Sequence, residues 1–268
     1  MTTRCALILR DRSAGNYMST PTRVSVLRFL FASALLSATV TQPAAAQELP
    51  LVERLLLPVS VSRVPGAFGT LWSTELWYRN NSTRPVAIYP LATSDHVPTM
   101  NRTELLRVFT SRNYDPSQII YVERDGIDDV QFDLRLFNRS DPSSKWGTKL
   151  PVVREREFTD AISLINVPTD ADFRSALRIY ALPDESFADE TVLVQIYSND
   201  EKVLASTEIP FNGSPRYAAA LSLADSYPAI RQADRVRVHV QSASGRKIWA
   251  FVSVTSNTTQ DVSIVTPN

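Results

Sequence analysis

Asp125, Asp128 and Asp129 gather three carboxylates around an Asp-Gly pair. Oxygen-rich loops of this kind suit calcium, which takes about six to eight oxygen ligands from carboxylates and carbonyls. These three residues are the calcium candidates of the chain. Shorter acidic pairs occur at Asp170 and Asp172, Asp184 and Glu185, and Asp189 and Glu190. Such pairs are also the ordinary means of keeping a loop solvated. Either a calcium-dependent carbohydrate-binding protein or a carboxylate-dependent hydrolase would need Asp125, Asp128 and Asp129 to converge in one concave pocket. Nucleophilic hydrolysis would instead need a Ser or Thr beside a His. His96 lies in the polar stretch 93–98, and His239 is expected on the solvent face of a strand, flanked by arginines. With no G-x-S-x-G elbow and no H-x-x-x-H, C-x-x-C or EF-hand pattern, the sequence nominates no catalytic residue and no cofactor.

Aromatic residues give a different kind of candidate. Along the run from Trp72 to Tyr78, alternation places Trp72, Leu76 and Tyr78 on one face and Trp77 on the other, beside Glu75 and Arg79. The first set is expected in the core. Trp77 is expected at an interdomain or edge contact, and its alternative use is to stack on a sugar or a partner surface. Trp249 fits the core of the last strand pair, and Trp146-Gly147 marks a loop.

The elements that must position these residues read as β-strands. Short runs rich in Val, Ile, Leu, Thr and aromatics, closed by Asn, Asp, Pro, Ser or Gly, predict strands over 70–79, 86–91, 118–123, 130–137, 161–167, 175–181, 191–198, 203–209, 235–241 and 247–255. In 235–240 the alternation is strict, with Val236, Val238 and Val240 facing a core. Asp125-Gly126 predicts a two-residue hairpin between its flanking runs. Short helical turns are expected over 102–108 and 220–233. Six Asn-x-Ser/Thr sequons, beginning at Asn80, Asn81, Asn101, Asn138, Asn212 and Asn257, read as turn chemistry. Strands recurring about every ten residues with turns between them predict an all-β sandwich fold.

A weak internal symmetry divides the chain near Pro151. Leu57-Pro58-Val59 and Leu150-Pro151-Val152 open the halves, and each half closes on a β run, a polar turn and a short final strand. The repeat, near a hundred residues, has the length of one immunoglobulin-like sandwich. The expected organisation is a leader over 1–46, one sandwich over 47–150 and a second over 151–268. The segment Gly66-Ala67-Phe68-Gly69-Thr70-Leu71-Trp72-Ser73-Thr74-Glu75-Leu76, with its Asn80-Asn81-Ser82 close, resembles the opening motif of exported bacterial tandem Ig-like β-sandwich proteins, a family of largely uncharacterised function. The stretch 247–261, with Ala250-Phe251-Val252-Ser253-Val254 and Ser256-Asn257-Thr258-Thr259, is similar to the closing hairpin of that family. The resemblance implies two immunoglobulin-like domains in tandem and transfers no activity.

Arg23 and Arg28 precede an apolar run of about a dozen residues, too short for the ~20 that span a bilayer, and Ala44-Ala45-Ala46 follows. This pattern predicts a cleaved signal peptide, with Met18 a candidate start of translation. The leader holds five of the 28 basic residues and one of the 28 acidic ones, so the mature chain would carry 23 and 27, a net charge of −4. Without a basic cluster, nucleic acid and anionic lipid are excluded as expected partners. The only cysteine, Cys5, leaves with the leader. A disulfide-free exported chain points to a Gram-negative periplasm or exterior. The expected function is a non-enzymatic binding or structural module of the envelope, with a protein or glycan partner met through sandwich surfaces.

Overall fold

The β-branched runs pair into antiparallel ladders throughout a computed structural model that describes residues 51–89, 99–100, 104–106, 118–141, 146–182, 190–211 and 218–267. The expected leader and His96 lie outside these residues. The first half contains β1 (Val52–Leu57), β2 (Val64–Pro65), β3 (Leu71–Asn80), β4 (Val86–Tyr89), β5 (Thr99–Met100), β6 (Glu104–Leu106), β7 (Gln118–Glu123), β8 (Val130–Asn138), β9 (Thr148–Leu150) and β10 (Val153–Arg154). The second contains β11 (Ala161–Pro168), β12 (Phe173–Ala181), β13 (Glu190–Tyr197), β14 (Val203–Phe211), β15 (Ala218–Ser222), β16 (Arg235–Ser242), β17 (Ile248–Ser256) and β18 (Val262–Val265).

These strands form four sheets. One has the order β10-β1-β7-β4-β5, and another has β2-β3-β8-β9 with β6 also on β3. The remaining two are β11-β16-β13-β14 and β15-β12-β17-β18. Setting β2 and β10 aside, the orders are the same. β1-β7-β4-β5 matches β11-β16-β13-β14, and β6-β3-β8-β9 matches β15-β12-β17-β18, strand for strand in chain order. Every strand ladder among the described residues stays on one side of the segment between Arg154 and Ala161.

Period-two alternation sets the core. In β16, Val236, Val238 and Val240 are buried while Arg235, Arg237 and His239 lie on the other face. They join Leu164, Val194, Leu177, Ile179 and Val252 from both sheets of the second half. Leu55, Ile88, Val122, Leu76, Tyr78 and Leu134 do the same in the first. Residues Glu48–Asn268 form one compact unit, and the apolar core runs through both halves.

Several expectations are corrected by pairing that sequence does not display. Asp125-Gly126 is not a hairpin turn. β7 and β8 lie in different sheets, and a 3-10 helix (Arg124–Asp129) carries the chain between them. Gly126 is there for close approach, since a Cβ would come within 2.5 Å of a Val86 methyl. The helical turn expected over 102–108 contains strand β6, paired with β3. The stretch 220–233, by contrast, does hold the expected helical turns, an α turn (Leu223–Ser226) and a 3-10 turn (Pro228–Gln232), after the end of strand β15.

Two of the sequon asparagines, Asn80 and Asn138, perform turn chemistry, whereas Asn257 bonds across to Ala171 and Arg174, and Asn101 and Asn212 lie outside the described residues. Asn80 Oδ1 accepts from the backbone N–H and the hydroxyl of Ser82, and Asn138 Oδ1 accepts from the N–H groups of Leu71 and Ser140.

Candidate functional site

The outer face of β3, β8 and β9 carries the feature most suited to binding. Trp77 stands on β3 with 43% of its surface exposed, opposite Asp133 on β8. Arg79 faces Gln131, and Arg135 faces Lys149 on β9. Together these residues line a shallow cavity of about 340 Å³. Because β3 is paired on both edges, the backbone under Trp77 is held by ladders to β6 and β8.

Charges on this face are partly committed. Arg135 Nε donates to Asp133 Oδ2 at 2.9 Å, and Arg135 Nη1 donates to the Trp146 carbonyl at 3.0 Å. The same guanidinium lies 5.7 Å from the centre of the Trp146 ring, a cation–π distance. Trp146 is 79% exposed, so it extends the aromatic surface beyond Trp77. Next to it, Arg139 pairs with Glu75 and packs 4.6 Å over the Phe137 ring. Arg79 and Lys149 make no ion pair among the described residues. Asp133 Oδ1 is buried there without a hydrogen-bond partner. The face therefore offers an aromatic plane and two cations without an ion pair among the described residues.

Trp77 was expected at an interdomain or edge contact, and the structure gives it this half-open face instead. The contact between the halves is made by other aromatics. Tyr180 and Phe251 stack with parallel rings 6.2 Å apart, and Trp249 lies 6.0 Å from Tyr180 and 5.6 Å from Phe251. Trp249 is buried as expected, but on the side of β17 opposite the sandwich core formed by Val252 and Val254. Tyr180 Oη donates to the Pro58 carbonyl at 2.5 Å, and Thr148 Oγ1 donates to the Val262 carbonyl at 2.6 Å.

Asp125, Asp128 and Asp129 do not converge. All three lie on the Arg124–Asp129 helix with exposed side chains, and Asp128 is bound by Arg154, with Arg156 3.9 Å away. The hydrogen bond and charge of Arg154 hold the Asp128 carboxyl below its ordinary range. Arg154 also grips Glu53 through two bonds of 2.7 and 2.5 Å, and Arg54 grips Glu155 at 3.0 and 2.6 Å. Among the described residues no group of three His, Cys, Asp or Glu side chains is placed to hold a metal ion.

One neighbour pair was missed by sequence reasoning. Ser163 on β11 lies opposite His239, with Oγ 3.1 Å from Nδ1. Burial, and then the charge of Arg237, lower the His239 pKa. Both side chains could be assigned to outer faces by alternation, but the register joining their strands could not be read. The pair has no carboxylate at ion-pair distance among the described residues, so it lacks the third member of a hydrolase triad.

No protein-family model matches the chain, and neither a curated protein nor a solved structure does.

Proposed function

We propose that this chain is an exported, non-enzymatic binding or structural module of a Gram-negative envelope, made of two immunoglobulin-like sandwiches in tandem. Its working surface is the outer face of β3, β8 and β9. The observation that carries this reading is Trp77, a large aromatic left half-exposed on a strand held from both edges, with cations beside it. A ring held on a rigid strand beside cations is suited to anchor a partner, because aromatic and Arg side chains dominate binding energetics.

The Arg23–Ala46 pattern supports export, and no helix among the described residues is long and apolar enough to cross a membrane. Support for the immunoglobulin-like assignment comes from the central strands. β12 pairs with β15 and β13 with β16, as strands B with E and C with F do in that fold. The outer strands depart from it. β11, first in the chain, sits beside β16, and β17 sits beside β12, the reverse of the usual placement. Each half is thus an immunoglobulin-like core with its first and seventh strands exchanged. The resemblance of 66–82 and 247–261 to exported tandem sandwich proteins points the same way.

Capture from the extracytoplasmic fraction tests the function, using the wild-type chain and Trp77→Ala as baits beside a panel of hydrolase substrates. The reading expects a protein or glycan retained by the wild type and lost with Trp77→Ala. Turnover of a substrate with nothing retained would reject it.

A further inference from the structure

The ladder of β3 with β8 and that of β12 with β17 correspond pair for pair. Trp72–Asn138 and Phe173–Ser256 close one end, and Asn80–Val130 and Ala181–Ile248 close the other. The third strand agrees, with Leu134 opposite Leu150 and Val252 opposite Val265. Outward positions Arg79, Gln131 and Asp133 of the first half therefore correspond to Tyr180, Trp249 and Phe251 of the second. Those three aromatics point away from their own sandwich core, yet are only 0%, 4% and 1% exposed. One end of the first half meets this face: the Pro58 carbonyl accepts from Tyr180, Thr148 donates to the Val262 carbonyl, and Arg174 lies 5.1 Å over the Phe68 ring. The same face of the first half stands open.

The covering end also has a counterpart. β1 ends at Leu57 before Pro58, and β11 ends at Pro168 before Thr169; the β8–β9 connection corresponds to the β17–β18 connection. Around that end of the second half lie Asp170, Asp172, Asp234 and Asp261, of which the last three are exposed. Arg174 and Arg235 also stand at that end, which leaves it acidic by four carboxylates to two guanidinium groups. On the open face Asp133 pairs with Arg135, and Arg79 and Lys149 remain, so the two surfaces differ in sign of net charge.

We propose that the open face of β3, β8 and β9 receives the acidic 168–172 end of a second copy of this chain, repeating between molecules the contact that joins the halves within one. The proposal rests on reading that face as a binding surface, and it names the occupant. Face and end are different patches, so the contact is heterologous and propagates head to tail unless its rotation closes a ring.

Sedimentation and light scattering of protein purified from the extracytoplasmic fraction, from micromolar to near-millimolar concentration, test this. Wild-type mass should rise above the monomer with concentration and fall back with added salt, as screened opposite charges require. A face variant, Trp77→Ala with Arg79→Glu, and an end variant, Asp170→Lys with Asp172→Lys, should each weaken association by about tenfold or more. Mixed one to one, they should form dimers and nothing larger, since each retains one working surface. Thermal melts check that both fold, and Lys149→Glu, at an exposed edge-strand position, replaces a face variant that does not. A wild type that stays monomeric, association that both variants leave intact, or a mixture that never pairs would overturn the proposal. If a monomeric wild type still retains a glycan or protein through Trp77, the copy is the wrong occupant and the binding face stands. If it retains nothing, both fail.

Discussion

Removing one oxygen atom should loosen the junction between the halves. Tyr180→Phe keeps the ring that stacks on Phe251 and deletes only the hydroxyl that donates to Pro58. The net loss of a hydrogen bond is about 1 kcal/mol. The carbonyl of Pro58, a buried residue, then loses this donor in a site that water does not reach, adding about 1 kcal/mol or more. The expected destabilisation is therefore about 2 kcal/mol, or roughly 4–8 °C in Tm for a chain of this length. Urea unfolding followed by tryptophan fluorescence reads it directly, because Trp249 lies 6.0 Å from the Tyr180 ring while Trp146 is largely solvated. Phe251→Ala, which also opens a cavity, sets the upper scale at about 3–5 kcal/mol. A Tyr180→Phe protein within about 0.5 kcal/mol of wild type would mean that the hydroxyl is hydrated and that the halves do not pack as described.

Other perturbations follow from the same contacts. Arg154→Met should cost about 3–5 kcal/mol by stranding the buried Glu53 carboxylate, and adding Glu53→Leu should recover most of it in a double-mutant comparison of urea midpoints. Gly126→Ala should cost about 1–3 kcal/mol, since its methyl would overlap Val86, and calorimetry would register the lower Tm. Acidification should destabilise the fold in two stages. His239, with its pKa lowered by burial, binds fewer protons folded than unfolded, so stability falls as pH drops through its ordinary value of 6.5. Asp128 and Glu155, held low by Arg154 and Arg54, keep their contribution above their ordinary values of 3.8 and 4.5 and lose it below them. Melting curves from pH 8 to pH 3 should show both stages, and His239→Gln should flatten the upper one alone.

What the sequence disclosed divides along a physical line. Interior strands such as β7, β8 and β16 were legible because β-branched runs and alternation report which face of a strand is buried. Strand β6 was not, because Glu104-Leu105-Leu106 has helix-forming composition and becomes extended only by pairing with β3. The Asp125-Gly126 pair misled for a related reason. Its glycine answers a steric demand from Val86, which is distant in sequence, and no local turn rule contains that demand. The same limit separated Trp77 from Trp249. Alternation assigned each a face, but which faces the neighbouring half covers depends on how the two sandwiches dock. Ser163 and His239 met through an unreadable register in the same way.

Two copies of one topology then isolate what decides whether a face is covered. The ladders β3–β8 and β12–β17 have the same length and, β2 aside, corresponding neighbours, so their pairing does not discriminate between them. Side chains at the corresponding positions do. Covering Tyr180, Trp249 and Phe251 removes aromatic surface from water, with about 150–250 Å² to bury in each. The Tyr and Trp polar tips then need partners, of which Pro58 supplies one, and so does Arg178, opposite Phe251, with its Nε buried without a hydrogen-bond partner among the described residues. Covering Arg79, Gln131 and Asp133 in the same manner would strip water from two charges and an amide, and an apolar cover would return nothing for them. Asp133 already has Arg135, so Arg79 and neighbouring Lys149 are the charges an occupant must answer, and carboxylates do so. That requirement makes the acidic end of the second half a fitting partner, and it makes salt sensitivity the property that separates the two contacts: the aromatic junction should persist where the charged one dissolves.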